Sequence, residues 1–223
     1  MPKNDLERKE AWAAKVLARG EDGATRRERA EGRLPPGQHT VEKLPVLDLG
    51  IHPEVQKADW GLEIGGLVEV PLSLDWAALE ALPQTEEVSD FHCVTTWSMY
   101  DCRWGGVPMS EILDRAKPTA GAKFVFFTSY DGYTTNLPVD ALFAPGVVLA
   151  TSLEGAPLPT RYGGPARVVI PQLYGWKSAK FVKEIEFCAQ DKLGYWEKRG
   201  YSDTADPWLE ERFRGKEIPE GWP

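Results

Sequence analysis

Cysteine is scarce in this 223-residue sequence: there are three, Cys93, Cys102 and Cys188, and no two of them stand in a Cys-x-x-Cys spacing. An odd number without that spacing argues against a disulfide framework and against a structural zinc site. Cys188 ends a strand-like run, which is typical of a buried small hydrophobic residue. Cys102 lies in a polar, turn-like segment, and we assign it no function. Only Cys93 needs a further chemical argument.

Long apolar stretches are also missing. No run approaches the roughly 18–20 residues that a membrane-spanning helix needs. The first 23 residues contain no hydrophobic stretch, and Arg26-Arg27 is followed by charged residues. Neither a secretory signal nor a twin-arginine signal fits that pattern. We therefore expect a cytoplasmic protein without a membrane anchor.

Positive charge is in deficit, with 26 Lys and Arg against 34 Asp and Glu and a formal net charge of -8. Proteins that bind nucleic acid neutralise phosphates with clustered Lys and Arg. The acidic balance therefore argues against nucleic acid as a partner.

The rest of the composition favours one domain that is flanked by an N-terminal arm and a C-terminal tail. Nine tryptophans and 18 prolines are many for this length and favour short strands and irregular loops. We predict a charged N-terminal arm over residues 1–39, in which Asp5 to Arg19 can form a surface helix. The main domain is predicted over 40–200, and a C-terminal tail over 201–223 is predicted to pack back onto it.

The domain itself is predicted to be α+β, a mixed, β-rich fold with short interspersed helices. The helices are too few and too short for a regular parallel sheet of βαβ units. Strands are predicted at 62–64, 67–70 (after a turn at the glycines 65 and 66), 123–130, 147–153, 166–170 and 181–187, and helices at 73–82 and 111–116.

Four segments contain side chains that can ligate a metal or bind an anion. Cys93 lies in FHCVTTWSM (residues 91–99), and a thiolate is a soft ligand for a transition metal. The segments DGYTTNLP (131–138), YGGPARVVIP (162–171) and GWKSAKF (175–181) add hydroxyls, backbone N–H groups, one arginine and two lysines. Such groups suit an anionic cofactor that carries a phosphate. Together the segments indicate a metal-bearing organic cofactor.

These segments, in this order, resemble the molybdopterin-binding domain of the sulfite oxidase family over residues 43–187, about two-thirds of the chain. The resemblance implies a sulfite oxidase-type fold and a mononuclear molybdenum held by one molybdopterin. It implies that Cys93 ligates the molybdenum and that Arg167 and Lys180 hold the pterin and its phosphate. Tyr162 stands where the family usually has His or Asn. The resemblance also implies cofactor contacts for three further residues: Thr128, Ser178 and Ala179.

The same resemblance assigns residues to the substrate side. Tyr133 matches the tyrosine that faces the substrate pocket in sulfite oxidases, and Trp97 is expected to shape that pocket. His92 has two open interpretations. It can hydrogen-bond the substrate, or it can brace the fold from the face of the strand opposite to Cys93.

Three residues after the cysteine indicate which substrate to expect. Sulfite oxidases continue with Asn-Arg-Arg, which helps to bind the sulfite anion, whereas this chain has Thr95-Thr96-Trp97. The pattern CVxxWSM is instead similar to the catalytic subunit of bacterial methionine-sulfoxide reductases, which act on a neutral S=O group. We therefore expect oxygen-atom transfer on a small S-oxide or N-oxide rather than on sulfite. No haem or flavin motif is present, so a separate electron-transfer partner is expected.

Two alternatives stay open at this point. The chain can be a non-catalytic relative that binds molybdopterin or a protein partner, which the departure at Tyr162 favours. It can also be a plain structural domain in which Cys93 is only a buried side chain.

Overall fold

Two β-sheets with short helices between them make up the fold, seen in a computed structural model that describes residues 32–214. The helix predicted for Asp5 to Arg19 lies outside these residues. The strands are β1 His39–Thr40, β2 Gly61–Gly66, β3 Leu72–Asp75, β4 Thr85–His92, β5 Trp97–Pro108, β6 Phe124–Ser129, β7 Thr134–Pro138, β8 Val148–Leu153, β9 Ala156–Pro157, β10 Arg167–Val169 and β11 Val182–Cys188. The α-helices are α1 Trp76–Glu80 and α2 Met109–Ala116, and 3-10 turns span Val139–Phe143, Thr160–Tyr162, Gly175–Lys177 and Glu197–Arg199.

The first sheet has the order β1-β5-β8-β10, with β4 added on β5 and β9 on β8, and the second has the order β3-β2-β11-β6-β7. The pairs β1–β5 and β2–β11 are parallel, whereas the other pairs are antiparallel. Mixed sheets with short helices confirm the predicted α+β class.

The predicted hairpin near residue 65 is wrong. β2 continues through Gly66, while residues 67–70 form no strand, and the antiparallel partner of β2 is β3. Gly66 has φ +81, and a Cβ there would lie 2.2 Å from the carbonyl oxygen of Phe187. The glycine thus serves the close approach of β2 to β11, a contact from the far end of the chain, and not a local turn.

Both predicted helices form with different bounds. α1 is shorter than predicted, because Ser73 to Asp75 pair with β2 and the helix begins only after Asp75, whose side chain accepts from the Ala78 N–H at 2.7 Å. α2 begins earlier than predicted, at Met109, directly after Pro108.

The turn-like structure predicted around Cys102 is wrong as well. It lies within the long strand β5, which pairs with β4 on one side and β8 on the other. Cys102 is fully buried, whereas the side chains of Asp101 and Arg103 on either side are exposed. The charged neighbours belong to the outward face of an alternating strand, which made the segment look polar.

The chain after Lys192 lies against the sheets as far as the structure describes it. Trp196, Tyr201 and Ala205 are buried, and the Tyr174 N–H donates to the carbonyl of Ala205. The C-terminal segment therefore contributes directly to the walls of the cavity described below. No helix within residues 32–214 is long and apolar enough to cross a membrane.

Candidate functional site

A cavity of about 840 Å³, counting its open mouth, lies where the two sheets and the C-terminal segment meet. Its lining comes from five stretches of the chain: residues 44–49, 91–97, 131–133, 162–180 and 196–201. Seven residues singled out in the sequence line it: Cys93, Trp97, Tyr133, Tyr162, Arg167, Ser178 and Lys180.

Cys93 lies at the tip of the β4–β5 hairpin. Its N–H donates to the Trp97 carbonyl at 2.9 Å and its carbonyl accepts from the Thr96 N–H at 3.0 Å, which closes a tight turn. Thr96 has φ 74, a conformation that strains a β-branched residue. The Cys93 Sγ lies 3.1 Å from the hydroxyl of Thr95, so the turn points a thiol and a hydroxyl into the cavity together.

Trp97 lines the cavity next to this turn. It is nearly fully buried, and its ring stacks on Phe91 with 6.1 Å between centroids. Its indole N–H has no hydrogen-bond partner among residues 32–214. A buried donor without a partner is costly. This nitrogen is itself inaccessible to solvent, so Trp97 lines the cavity with other atoms.

His92 lies outside the cavity lining. Its Nδ1 is 2.8 Å from the hydroxyl of Ser98, and its ring meets the ring of Trp208 edge-on at 5.8 Å. Burial lowers the pKa of His92 to about 4, so the imidazole is neutral at neutral pH. This arrangement supports the interpretation that His92 braces the hairpin.

Arg167 is a buried cation at the start of β10, with 2% of its surface exposed. Its guanidinium donates to the carbonyls of Tyr162 and Ser178, both at 2.9 Å. Burial lowers its pKa to about 10, and no carboxylate among residues 32–214 lies within 4 Å of it. The guanidinium also lies 5.3 Å from the centre of the Phe91 ring and 5.4 Å from that of Trp104. A buried positive charge held by neutral carbonyls and aromatic rings, without a carboxylate, favours an anion in the adjoining cavity.

Lys180 brings a second cation to the same wall. Its Nζ donates to the Arg161 carbonyl at 2.9 Å and lies 3.6 Å from the Asp48 carboxylate. Burial, together with the charge of Arg167, lowers the pKa of Lys180 to about 8. Burial raises the pKa of Asp48, but hydrogen bonds from Gly50 and His52 and the charge of Lys180 outweigh it, so the pKa of Asp48 is lowered. Asp48 ties the entry stretch 44–49 to this wall.

The hydroxyls of Tyr162 and Ser178 both form hydrogen bonds with the backbone of the protein. The Tyr162 hydroxyl donates to the Leu44 carbonyl at 3.1 Å, and the Ser178 hydroxyl accepts from the Ile170 N–H at 3.0 Å. The Tyr162 hydroxyl proton is therefore committed to the protein, whereas the Ser178 hydroxyl accepts one hydrogen bond and keeps its own proton to donate.

On the opposite wall, the Tyr133 hydroxyl donates to the Trp176 carbonyl at 2.6 Å. Burial raises the pKa of Tyr133 well above its ordinary value, so the phenol stays protonated. Asp131 accepts from the Tyr133 N–H at 2.9 Å, and burial raises the pKa of its carboxyl. This wall therefore offers aromatic surface and a protonated phenol.

Two predicted residues lie outside the lining. Thr128 is on β6, paired with Thr134 and Glu184 in the second sheet. Ala179 is fully buried, and its carbonyl accepts from the Val168 N–H. Neither side chain reaches the cavity.

Five further lining residues were not among the predicted site residues: Asp48, Asp131, Trp176, Trp196 and Tyr201. A partial signal existed for two of them, since Asp131 begins the hydroxyl-rich turn and Trp176 lies within the lysine motif. The others come from stretches whose approach depends on the tertiary fold.

The side chains fit a metal-bearing, phosphorylated group. A soft sulfur ligand and two cations lie in the lining of a single cavity. Sulfur suits a soft transition metal, and an arginine with a lysine suits a phosphate.

Comparison with known proteins gives the family. Residues 49–196 match the oxidoreductase molybdopterin binding domain. The chain is 39% identical over 192 residues to the uncharacterized oxidoreductase YuiH of Bacillus subtilis, a match that covers 86% of this chain and 97% of that protein. It is 38% identical over 145 residues to the protein-methionine-sulfoxide reductase catalytic subunit MsrP of Xanthomonas axonopodis pv. citri, with coverage of 57% and 44%. The chain thus spans less than half of that relative.

A solved structure shows the same fold. The sulfane dehydrogenase SoxCD of Paracoccus pantotrophus superposes with a TM-score of 0.60 at 20% identity, over 85% of this chain and 62% of that one. The family match covers well over half of the chain and includes Cys93, Arg167 and Lys180. The chain therefore belongs to the oxidoreductase molybdopterin-binding domain family, that of the sulfite oxidases, and it is an oxidoreductase of that family.

Proposed function

We propose that the protein binds a mononuclear molybdenum on one molybdopterin, with Cys93 as the protein ligand, and transfers an oxygen atom from a neutral S-oxide or N-oxide. The observation that carries the proposal is the opening of the Cys93 thiol into the same cavity as two cations, the buried Arg167 and the partly exposed Lys180. When bound, this cofactor supplies the two-electron exchange that accompanies oxygen-atom transfer.

The chain's own residues hold and orient the group. Arg167 and Lys180 place two positive charges where a phosphate can lie, and charge-assisted hydrogen bonds there are stronger than neutral ones. Thr95 keeps its hydroxyl beside the Cys93 sulfur and fixes the direction of the side chain.

A neutral substrate is favoured by the charges that line the cavity. Arg167 and Lys180 are its two cations, and a cofactor phosphate engages both. The turn after Cys93 offers Thr95 and Thr96, which carry no charge to hold a sulfite anion. The relative MsrP is named for reduction of methionine sulfoxide in proteins, which supports an S-oxide as substrate.

Reduction of an S-oxide uses two electrons and two protons and yields the sulfide and water. Tyr133 stays protonated and orients the Trp176 backbone at the substrate wall. We expect a separate partner protein to deliver the electrons. A cytoplasmic location is part of the same proposal, and fractionation of native cells with an antibody tests it.

The decisive experiment compares purified wild type, Cys93→Ser and the control Cys188→Ser, each expressed in a host that makes molybdopterin. Cys188 ends β11 and does not line the cavity. We expect near-stoichiometric molybdenum in wild type and control, and its loss in Cys93→Ser. With a dye as reductant, wild type should reduce S-oxides and N-oxides and leave sulfite unoxidised. Molybdenum without any turnover would instead support the non-catalytic alternative.

A further inference from the structure

We infer that Gln38 and Arg212, two residues outside the family match, are positioning residues that clamp the loop of Cys93 from both ends of the chain, and that the charge of Arg212 tunes the metal's reduction potential. The inference rests on the proposed role of Cys93 as a metal ligand. Residue 38 precedes the matched range 49–196 and residue 212 follows it. The clamp therefore belongs to this chain's flanking segments.

Gln38 hydrogen-bonds to the backbone of Cys93. Its side-chain N–H donates to the Cys93 carbonyl at 3.0 Å, and its side-chain oxygen accepts from the Ser98 hydroxyl at 3.2 Å. Only 2% of Gln38 is exposed. One amide thus links both arms of the hairpin that carries the thiol.

Arg212 hydrogen-bonds to the residue that follows Cys93. Its Nη1 donates to the Val94 carbonyl, and its Nη2 donates to the Pro36 carbonyl at 3.4 Å. The guanidinium also lies 5.0 Å from the centre of the Tyr174 ring. Arg212 is 4% exposed, and its Nε has no hydrogen-bond partner among residues 32–214. The carboxylate of the half-exposed Glu210 lies 3.9 Å from Nη2, whereas the Nη1 that meets the loop binds the neutral carbonyl of Val94. A buried guanidinium with only one distant, half-exposed carboxylate beside it is costly.

The loop needs such a clamp. Thr96 holds a left-handed backbone conformation, and strain of this kind persists only where the surroundings over-determine it. Gln38 and Arg212 bind successive carbonyls, Cys93 and Val94, and the His39 N–H binds the carbonyl of Thr96 at 2.9 Å. Residues 38 and 39 and Arg212 thus hold nearly every carbonyl of the turn.

The charge of Arg212 lies beside the loop of the thiol, because its Nη1 donates to the carbonyl of Val94, the residue that follows Cys93. Burial raises the pKa of Tyr174 to about 12, Arg212 opposes that rise, and Cys93 adds to it. The phenol is therefore within electrostatic range of both groups. A cation so placed stabilises the more negative, reduced state of a metal centre on Cys93 and raises its reduction potential.

The test uses the full chain with Arg212→Gln, Arg212→Lys and the control Arg214→Gln, in which an exposed arginine paired with Asp203 is changed in the same segment. Gln38→Ala, with Gln172→Ala as control, provides a second route, because the Gln172 side chain donates to a backbone carbonyl at the surface. Two quantities are measured. One is the rate of Cys93 alkylation in chain made without molybdopterin, and the other is the metal's midpoint potential in the holoenzyme.

We expect Arg212→Gln and Gln38→Ala to raise the alkylation rate about tenfold, as loss of a hydrogen bond to a loop carbonyl predicts. Arg212→Gln should also shift the midpoint potential to more negative values, while Arg212→Lys keeps it near wild type. Both controls should match wild type. The inference is overturned if Arg212→Gln and Gln38→Ala alkylate at the wild-type rate, or if Arg212→Lys lowers the potential as much as Arg212→Gln. A wild-type chain that binds no molybdenum would refute the proposed function, and the alkylation rates would still decide the clamp.

Discussion

The Lys177 Nζ lies 2.7 Å from the Glu197 Oε1, and neither side chain is exposed at all. Lys177 also donates to the Asn136 carbonyl at 2.6 Å, while the same Glu197 oxygen accepts from the Trp176 indole N–H at 3.1 Å. Burial lowers the pKa of Lys177, and the charge of Glu197 opposes that shift. The pair lies directly behind Trp176, so it supports one wall of the cavity from the C-terminal segment.

Removal of one partner should destabilise the fold strongly. Glu197→Leu leaves the Lys177 charge buried without a carboxylate, and we expect a loss of about 3–5 kcal/mol in the free energy of unfolding. Urea denaturation measures it. The control Glu80→Gln breaks the exposed pair with Lys57 and should leave the free energy of unfolding close to that of wild type, because solvent screens exposed charges. A loss of similar size in both variants would show that the buried pair contributes little.

The strained turn makes a second prediction. Thr96→Ala and Thr96→Gly remove the same buried side chain, but only glycine adopts φ 74 without steric cost. We expect the glycine variant to be about 1 kcal/mol more stable than the alanine variant, since the left-handed conformation costs a non-glycine residue about 1–2 kcal/mol. Thermal unfolding of the chain without cofactor compares the two. If the alanine variant unfolds at the higher temperature, the turn holds no such strain.

Much of the site was visible in the sequence, because its anchors lie in short motifs. Cys93, Arg167 and Lys180 each stand in a segment of unusual composition, and the structure brings all three to one cavity. Asp48 was not foreseen, since an acidic residue in an extended stretch has no periodic pattern and its partner lies more than a hundred residues away. Gln38 and Arg212 were missed for the same reason.

In the fold, too, the features set by local composition were predicted and those set by distant partners were not. Apolar strands such as β6 and β11 were predicted within a residue or two, because their burial follows from composition. The errors at Gly66 and Cys102 arise where a long-range partner decides the local structure. Gly66 serves the approach of β11, and the segment of Cys102 pairs with strands on both sides.

Cofactor affinity should depend on pH through Lys180. Burial and Arg167 lower its pKa to about 8, so in the free chain the amine loses its charge above that pH. A bound phosphate favours the charged form and raises the pKa, so binding takes up a proton. Affinity for molybdopterin should therefore fall by up to about tenfold per pH unit above pH 8. Cofactor retention after equilibration at increasing pH measures the effect.

The matched variant for this prediction is Lys180→Arg, which keeps the charge at every pH in that range. Its cofactor retention should not change between about pH 7 and pH 9, because a guanidinium stays protonated there. An equal decline in wild type and Lys180→Arg would mean that another group titrates.

Tyr133→Phe separates two roles for the tyrosine at the substrate wall. Its hydroxyl proton is committed to the Trp176 carbonyl, so the substitution leaves that buried carbonyl without its donor. We expect a loss of about 1–3 kcal/mol in the free energy of unfolding. Tyr130→Phe is the control, since the Tyr130 hydroxyl also donates to a backbone carbonyl, that of Gly61, away from the cavity. Both variants should lose stability, and only Tyr133→Phe should alter the cavity.

The effect of Tyr133→Phe on turnover then decides how the hydroxyl is used. If it only supports Trp176, kcat falls less than about tenfold and the change appears mainly in KM. If the hydroxyl instead turns to the substrate and passes its proton during the reaction, kcat falls by about a hundredfold or more, as loss of a general acid does. The high pKa of the phenol keeps that proton in place at neutral pH, and its bond to the Trp176 carbonyl directs it away from the substrate. We therefore expect the smaller loss, with steady-state kinetics on a sulfoxide substrate as the measurement.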